Sequence, residues 1–191
     1  MADNLHKLII ITAPSGAGKT SVTRYLLEKI PQLNFSVSGT TRKPRSNETN
    51  GKDYYFITEN DFHNKIHEED FIEWEMVYEG KYYGTFKSEL QRIWNENKVP
   101  LLDIDVKGAI HVHEQFDGNC LTLFIEPPSI DELKRRLQLR GTESLESLQT
   151  RLNKAVFELS FKHQFNKIVI NDNLEQACKE SEAAVKEFLA L

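Results

Sequence analysis

A strand–loop–helix pattern near the N-terminus constrains the fold of this chain more than any other feature. The apolar, β-branched run from Leu8 to Thr12 predicts a buried strand, and helical spacing of apolar residues resumes after Thr20. Between them lies the segment APSGAGKT, residues 13–20. A glycine-rich loop between a strand and a helix is the context in which a P-loop binds phosphate. The pattern therefore predicts a phosphate-binding loop within an α/β fold.

The residue types in this loop suit a polyphosphate. Gly16 and Gly18 lack a Cβ, so their backbone N–H groups can turn inward around phosphate oxygens. The helix that begins near Gly18 adds the positive end of its dipole. Lys19 can reach the β- and γ-phosphates, and the Thr20 hydroxyl suits Mg²⁺ as a ligand. The standard signature begins with Gly, whereas this chain has Ala13, a residue small enough to let the turn close.

Composition limits the partners of the chain. Its 191 residues suffice for one domain with a full core. The formal net charge of −5 argues against general binding to nucleic acid or to anionic membranes. No apolar run approaches the roughly 20 residues of a membrane span, and no signal-peptide pattern precedes the first strand. Cys120 and Cys178 match no metal spacing and imply no disulfide framework, so we expect a cytoplasmic protein.

Strands alternate with helices along the chain, which predicts a parallel sheet covered on both faces. Predicted core strands lie at 8–12, 35–38, 99–105, 121–125 and 167–171. Two segments do not fit the alternation: a small mixed unit at about 35–90 and a helical excursion at about 127–160. Within the first, residues 39–53 carry no large apolar side chain, and segments of that length are usually functional or mobile.

Eight blocks of residues, in order and in spacing, give the chain a family resemblance. They are Ala13–Thr20, Phe35–Arg45, Gly51–Phe56, Phe71–Trp74, Tyr82–Thr85, Leu101–Asp105, Arg140–Glu143 and Val169–Asp172. With these blocks the chain resembles the guanylate kinases, P-loop enzymes that phosphorylate GMP with ATP and Mg²⁺. The resemblance implies a single domain over 1–191. Its parts are a core (1–34, 91–126 and 161–191), a GMP-binding region (35–90) and a helical lid (127–160).

On the ATP side, the resemblance implies a nucleotide-binding set and a group of catalytic cations. The nucleotide-binding set is Ala13, Pro14, Ser15, Gly16, Ala17, Gly18, Lys19, Thr20, Ser21 and Asn171, with Thr20 as the metal ligand. The catalytic set is Lys19, Arg42, Arg136, Arg140 and Arg151. Arginines on a lid can neutralise the charge that phosphoryl transfer spreads over the equatorial oxygens.

On the acceptor side, guanidinium forks match phosphate oxygens and phenols add donors at neutral pH. The resemblance implies that the GMP phosphate is held by Arg42, Arg45, Tyr54 and Tyr83. Guanine presents N1–H and N2–H₂ donors beside an O6 acceptor. Glu73 can accept from both donors, and the hydroxyls of Ser38 and Thr85 can donate to O6. A site built this way rejects a base that leaves its polar groups unpaired.

Two carboxylates are predicted at the end of a buried strand. Asp103 and Asp105 alternate on the strand predicted at 99–105, so we expect both at its C-terminal end, where open α/β sheets bind ligands. One or both would orient the water shell of Mg²⁺ or touch the nucleotide, and the resemblance favours Asp105 for substrate contact.

The resulting hypothesis is ATP-dependent phosphorylation of GMP, and of dGMP, by a monomer or homodimer that binds only small molecules. Two alternatives remain at this point. Another small P-loop kinase would act on a different acceptor. A non-catalytic interaction module related to guanylate kinases would lack the phosphate loop or the lid arginines, both of which this chain keeps.

Overall fold

The computed structural model describes residues 6–116, 118–139 and 145–191, which build an α/β core on a five-stranded parallel sheet. Across the sheet the strands are β2 (Leu33–Phe35), β7 (Val99–Asp103), β1 (Leu8–Thr12), β8 (Cys120–Glu126) and β9 (Lys167–Ile170). All five strands end at the same edge, the edge at which such sheets bind ligands. Because β1 is central, it brings the glycine loop to the middle of that edge.

The central strand explains why the sheet is covered on both sides. Ile9 and Ile11 pack against α1 (Lys19–Lys29) and α7 (Leu174–Leu189), whereas Leu8 and Ile10 pack against α3 (Lys87–Asn95) and α4 (Val106–Gln115). Successive side chains of a strand point to opposite faces, so one apolar run supplies both layers. The predicted fold class is therefore confirmed.

A second sheet lies between β2 and α3 in the sequence. Its strand order is β4 (Tyr55–Phe56), β3 (Gly39–Thr40), β6 (Lys81–Phe86) and β5 (Phe71–Tyr78), with β5 and β6 antiparallel. Helix α2 (Glu59–His67) covers it through Phe62, which stacks on Phe71 at 4.5 Å between ring centroids. This small apolar cluster makes the segment a separate layer attached to the core.

The helical excursion consists of α5 (Ile130–Leu139) and α6 (Leu145–Leu159). The two helices pack through Leu133, Leu137, Leu148 and Ala155, and a 3₁₀ turn (Lys162–Gln164) leads from them to β9. The Ser129 hydroxyl caps the start of α5, since the Glu132 N–H donates to it across 3.1 Å. None of the helices within the described ranges is both long and apolar enough to cross a membrane.

Two predicted strand boundaries differ from the structure. The strand predicted at 35–38 is divided, because β2 ends at Phe35 and the chain then crosses to β3 at Gly39. The strand predicted at 99–105 ends at Asp103, and Asp105 instead caps α4. In each case tertiary packing places a break that local periodicity does not reveal.

Candidate active site

The loop between β1 and α1 is shaped by backbone geometry and by a distant amide. The Ala17 N–H donates to the Pro14 carbonyl oxygen across 3.1 Å, and Gly18 adopts a φ of 101° directly before α1. A Cβ at Gly18 would be strained and would overlap the Asn171 amide, whose nitrogen donates to the Ala17 carbonyl oxygen across 2.7 Å. Because Gly18 has no side chain to cap α1, N–H groups of the first turn are left for an anion.

This loop forms one wall of a cavity at the sheet edge. The loop residues in the wall are Ala13, Pro14, Ser15, Gly16, Gly18, Lys19 and Thr20. Two predicted members, Ala17 and Ser21, are not among the described residues of the wall. Ala17 is fully buried, and Ser21 is exposed on α1.

Lys19 is held inside the cavity by the neighbouring strand. Its Nζ lies 2.7 Å from Oδ1 of Asp103 and donates to the Ile104 carbonyl oxygen across 2.9 Å. Burial lowers the pKa of Lys19, but the Asp103 carboxylate more than offsets this and keeps that pKa above its usual value. The side chain is therefore a cation at neutral pH, and a bound phosphate has to compete with Asp103 for it.

Oxygen donors suited to Mg²⁺ lie in the same wall. The Thr20 hydroxyl and the carboxylates of Asp103 and Asp105 all line the cavity. Mg²⁺ takes one or two protein oxygens and fills the rest of its octahedron with waters and substrate phosphates. The donor set present here fits that pattern.

The opposite wall carries the predicted acceptor groups. Ser38, Arg45, Tyr54, Glu73 and Tyr83 line the same cavity as the P-loop. Burial raises the pKa of the Tyr54 phenol, which keeps it a hydrogen-bond donor at neutral pH. Its ring lies edge-on to Tyr83, with 5.9 Å between centroids.

Arg42 is fixed by an acidic partner. The Glu48 carboxylate accepts two 2.6 Å hydrogen bonds from the Arg42 guanidinium, and the Tyr83 hydroxyl accepts a third across 3.1 Å. Glu48 also accepts from the Arg45 N–H across 2.8 Å. In the part of the chain that the structure describes, the cavity wall includes Arg45 but not Arg42. Arg42 thus lies behind the phenols rather than projecting freely between them.

Sequence reasoning missed Glu48. It holds two basic residues of the 39–53 loop in one arrangement, and the Arg42 guanidinium keeps the pKa of this carboxyl below its usual value. The available signal was a single acidic residue three positions after Arg45 in a basic segment. A fork-to-fork pair of this kind orders a polar loop that has no apolar core of its own.

Glu73 is a buried carboxyl group at the end of the cavity. It is 8% exposed, and burial raises its pKa to about 8, with smaller contributions from Asp105 and Glu75. The Thr85 hydroxyl, on the adjacent strand, donates to Glu73 Oε1 across 2.6 Å. Thr85 is fully buried and is not among the described residues of the wall. The hydroxyl predicted to donate to a base is therefore committed to Glu73.

A glycine on α4 makes room for this carboxyl group. A Cβ on Gly108 would come within 2.5 Å of Glu73 Oε2 and 3.1 Å of Asp105 Oδ1. The Gly108 N–H donates to Asp105 Oδ1 across 2.9 Å, which is the N-cap bond of α4. Asp105 therefore faces the cavity as a helix cap beside Glu73.

The two described lid arginines, Arg136 and Arg151, take different positions. The Arg136 guanidinium donates to Glu132 and to the Asn171 carbonyl oxygen, across 2.8 and 2.9 Å, and among the described residues it is not part of the wall. Arg151 does line the cavity and lies 3.5 Å from the Ser15 hydroxyl. Arg140 is outside the described residues, as is the rest of the 140–143 block.

Helix α6 also contacts the second sheet across the cavity. The Lys154 ammonium donates to the Val77 carbonyl oxygen across 3.2 Å, lies 3.5 Å from Glu158 and sits over the Tyr78 ring. Burial raises the pKa of Glu158. Sequence reasoning missed this contact, which joins the lid to the acceptor wall.

A P-loop and a second set of anion-binding groups facing one cavity define the class of P-loop kinases, which carry a phosphoryl group between two bound substrates. The guanylate kinase family model matches residues 5–188. The guanylate kinase of Porphyromonas gingivalis is 44% identical over 185 residues, covering 96% of this chain and 98% of that protein. The guanylate kinase of Chlorobium chlorochromatii is 46% identical over 183 residues, covering 96% of each chain.

Solved structures agree with the sequence comparison. The crystal structure of guanylate kinase from Anaplasma phagocytophilum superposes with a TM-score of 0.79 at 28% identity, covering 96% of this chain and 86% of that one. A gluconokinase from Sinorhizobium meliloti reaches a TM-score of 0.52 at 14% identity, which is a likeness of fold alone. The chain therefore belongs to the guanylate kinase family, whose enzymes phosphorylate GMP with ATP.

Proposed function

We propose that this protein transfers the γ-phosphoryl group of ATP directly to the phosphate of GMP by in-line displacement. The observation that carries the proposal is that Lys19 and Thr20 of the P-loop line the same cavity as Ser38, Tyr54 and Glu73. A donor triphosphate and an acceptor monophosphate can thus be bound side by side. Holding two reactants in one geometry supplies much of the rate enhancement in such reactions.

On the donor side, the P-loop N–H groups hold the phosphates and Lys19 exchanges its contact with Asp103 for the β- and γ-phosphates. Mg²⁺, held by the Thr20 hydroxyl and by the aspartates of the wall, would supply charge neutralisation at the phosphates. The Asp103 carboxylate, released by Lys19, then has a free oxygen for the water shell of the metal.

On the acceptor side, the residues of the wall present an oxygen that is already anionic. The second pKa of a phosphate monoester is about 6, so no general base is needed at pH 7. Arg45 and the phenols of Tyr54 and Tyr83 donate to this phosphate. Arg42 uses four of its five N–H groups on Tyr83, Glu48 and Lys43 among the described residues, so it acts from behind the wall by orienting the Tyr83 hydroxyl toward the phosphate.

The base is read at the buried end of the cavity. The ionised form of Glu73 accepts from guanine N1–H and N2–H₂, Ser38 donates to O6, and Thr85 orients Glu73 from behind. Adenine would present an N1 acceptor and an N6 amine to the same groups and leave them unpaired. We include dGMP as an acceptor, because the residues assigned here read only the base and the phosphate.

The lid completes the site. Arg151 approaches the transferring group from the cavity wall, and Arg136 and Arg140 join it when the lid closes on both nucleotides. Closure excludes water, which would otherwise accept the phosphoryl group and waste ATP. The two buried thiols, Cys120 and Cys178, are unpaired, as suits a reducing cytoplasm.

A panel of monophosphates tests the proposal. With ATP·Mg²⁺ as donor, GMP and dGMP should be phosphorylated at least about a hundredfold more efficiently than AMP, CMP or TMP. ADP formation is measured with and without the acceptor, and the rate without acceptor gives the ATPase background. A preference for AMP or TMP would contradict the base-reading assignment, and equal ATP hydrolysis with and without acceptor would contradict direct transfer.

A further inference from the structure

The chain passes twice between the core and the second sheet, and one carboxyl group lies where the two passages meet. The outward passage is the segment 36–38, between β2 and β3. The return passage joins β6 directly to α3, and Glu89 lies in the first turn of that helix. Glu89 is only 5% exposed, and none of the functional assignments above uses it.

Glu89 contacts three segments. Its Oε2 accepts from the Val37 N–H across 3.1 Å, and its Oε1 accepts from the Tyr55 hydroxyl across 3.0 Å. The Arg92 guanidinium donates to both oxygens, across 3.1 and 2.9 Å. Burial raises the pKa of Glu89, but these donors outweigh it and hold that pKa below its usual value. The group is therefore an ion that accepts hydrogen bonds throughout the neutral range.

These contacts adjoin the predicted base reader. Ser38 directly follows Val37, and its carbonyl oxygen accepts from the Tyr55 N–H across 2.9 Å. On the other side, the Ser36 N–H donates to the Leu101 carbonyl oxygen of the core sheet across 3.0 Å. Val37 lies between Ser36, which contacts the core sheet, and Ser38, which contacts the second sheet, and its N–H donates to Glu89. This bond ties the residue before Ser38 directly to α3.

We propose that Glu89 is a positioning residue for guanine recognition, acting by holding the 36–38 passage so that the Ser38 hydroxyl faces the base. The inference rests on the proposed function, because it takes Ser38 as the donor to O6. Replacing Glu89 by Gln keeps the size of the side chain but turns one acceptor oxygen into a donor. In either orientation the amide nitrogen meets an Arg92 N–H donor, and in one of them the Val37 N–H also loses its acceptor, so the hold on the passage carrying Ser38 weakens.

A double-mutant cycle tests the proposal. We expect Glu89→Gln to raise the KM for GMP about tenfold, with the KM for ATP and kcat within about twofold. In the Ser38→Ala background the same change should raise the KM for GMP by no more than about threefold, because its target is gone. Glu96→Gln is the matched control, since Glu96 also pairs with Arg92 from α3's C-terminal end but does not contact Val37. It should leave all three constants unchanged.

The outcomes separate this inference from the proposed function. If Ser38→Ala leaves the KM for GMP unchanged, the base-reading assignment fails and the inference fails with it. If Ser38→Ala does raise the KM for GMP, three results for Glu89→Gln would overturn the inference alone. They are a rise in the KM for GMP of less than twofold, an equal rise in the KM for ATP, and an equal effect with and without Ser38. Should Glu89→Gln not fold, Tyr55→Phe removes one donor to Glu89 in the same cycle. It should raise the KM for GMP about threefold with Ser38 present and not in the Ser38→Ala background.

Discussion

The buried carboxyl group of Glu73 predicts that GMP binding releases a proton. In the free site the pKa of Glu73 is raised to about 8, chiefly by burial, so the group is mostly neutral at pH 7. Guanine offers two donors to this group, and two donors stabilise the ionised form. GMP therefore binds the carboxylate, and the proton that Glu73 carried at pH 7 has to leave.

The magnitude follows from the raised pKa. About 9% of free sites are ionised at pH 7, about 50% at pH 8 and about 90% at pH 9. The Kd for GMP should therefore fall about fivefold between pH 7 and pH 8. Proton release at pH 7 should be about 0.9 per GMP bound. The GMP phosphate, with a second pKa of about 6, contributes only about 0.1 proton at this pH.

Isothermal titration calorimetry measures both quantities. GMP is titrated at pH 7 in two buffers of different ionisation enthalpy, and the difference in heat gives the number of protons released. Glu73→Gln is the control, because its residue 73 has no proton to lose, and its heat should depend on the buffer only through the about 0.1 proton released by the GMP phosphate. A Kd that stays constant from pH 7 to pH 8.5, with buffer-independent heat in the wild type, would refute this account of Glu73.

Three substitutions in the same cavity give the remaining predictions. Glu73→Gln should lower kcat/KM for GMP about a hundredfold, through loss of charged hydrogen bonds, when steady-state rates are measured. The same substitution should also raise the Tm of the ligand-free protein at pH 8. Because the pKa of Glu73 is raised in the folded state, the folded protein loses stability as the pH rises from about 4.5 to about 8, and Gln has no such penalty. A lower Tm in the variant would contradict the raised pKa. Gly108→Ala should raise the KM for GMP about tenfold, because the new Cβ displaces the Glu73 carboxyl group. The Tm should change by no more than a few degrees, because Ala favours the helix. An unchanged KM would contradict the close approach of Gly108 and Glu73. Lys19→Ala should lower kcat at least about a thousandfold with the KM for GMP within about threefold, and a comparable loss of GMP affinity would mean that the acceptor wall depends on Lys19.

Local patterns predicted the elements whose causes are local. The run of five apolar or β-branched residues at β1 fills both layers of the core, so its bounds and the loop after it follow from the sequence alone. The end of β7 does not. Asp103 and Asp105 alternate as strand residues would, but the Asp105 carboxylate accepts a hydrogen bond from the Gly108 N–H and caps α4. The strand therefore ends two residues earlier than the alternation predicts, and this end can be recognised only once the start of α4 is known.

The site shows the same division between local and distant causes. The P-loop could be predicted by type and spacing, residues of the acceptor wall such as Tyr54 and Glu73 only through the family resemblance, and the structure brings both sets to one cavity. The contacts that hold these residues in place could not be predicted from local patterns. Thr85 reaches Glu73 through strand pairing, and Gly108 makes room for it only because α4 packs beside β5. Asn171 braces the P-loop from the far end of the sequence, a contact that no local pattern contains.

Binding of a dinucleotide in which adenosine and guanosine are joined through five phosphates tests the central claim most directly. If one cavity holds the donor polyphosphate and the acceptor nucleotide at once, this compound should bind at least about a hundredfold more tightly than either ATP or GMP alone. Its affinity should fall in both Lys19→Ala and Glu73→Gln. An affinity no better than that of the tighter single nucleotide, or sensitivity to only one of the two substitutions, would contradict simultaneous occupancy of the two sites.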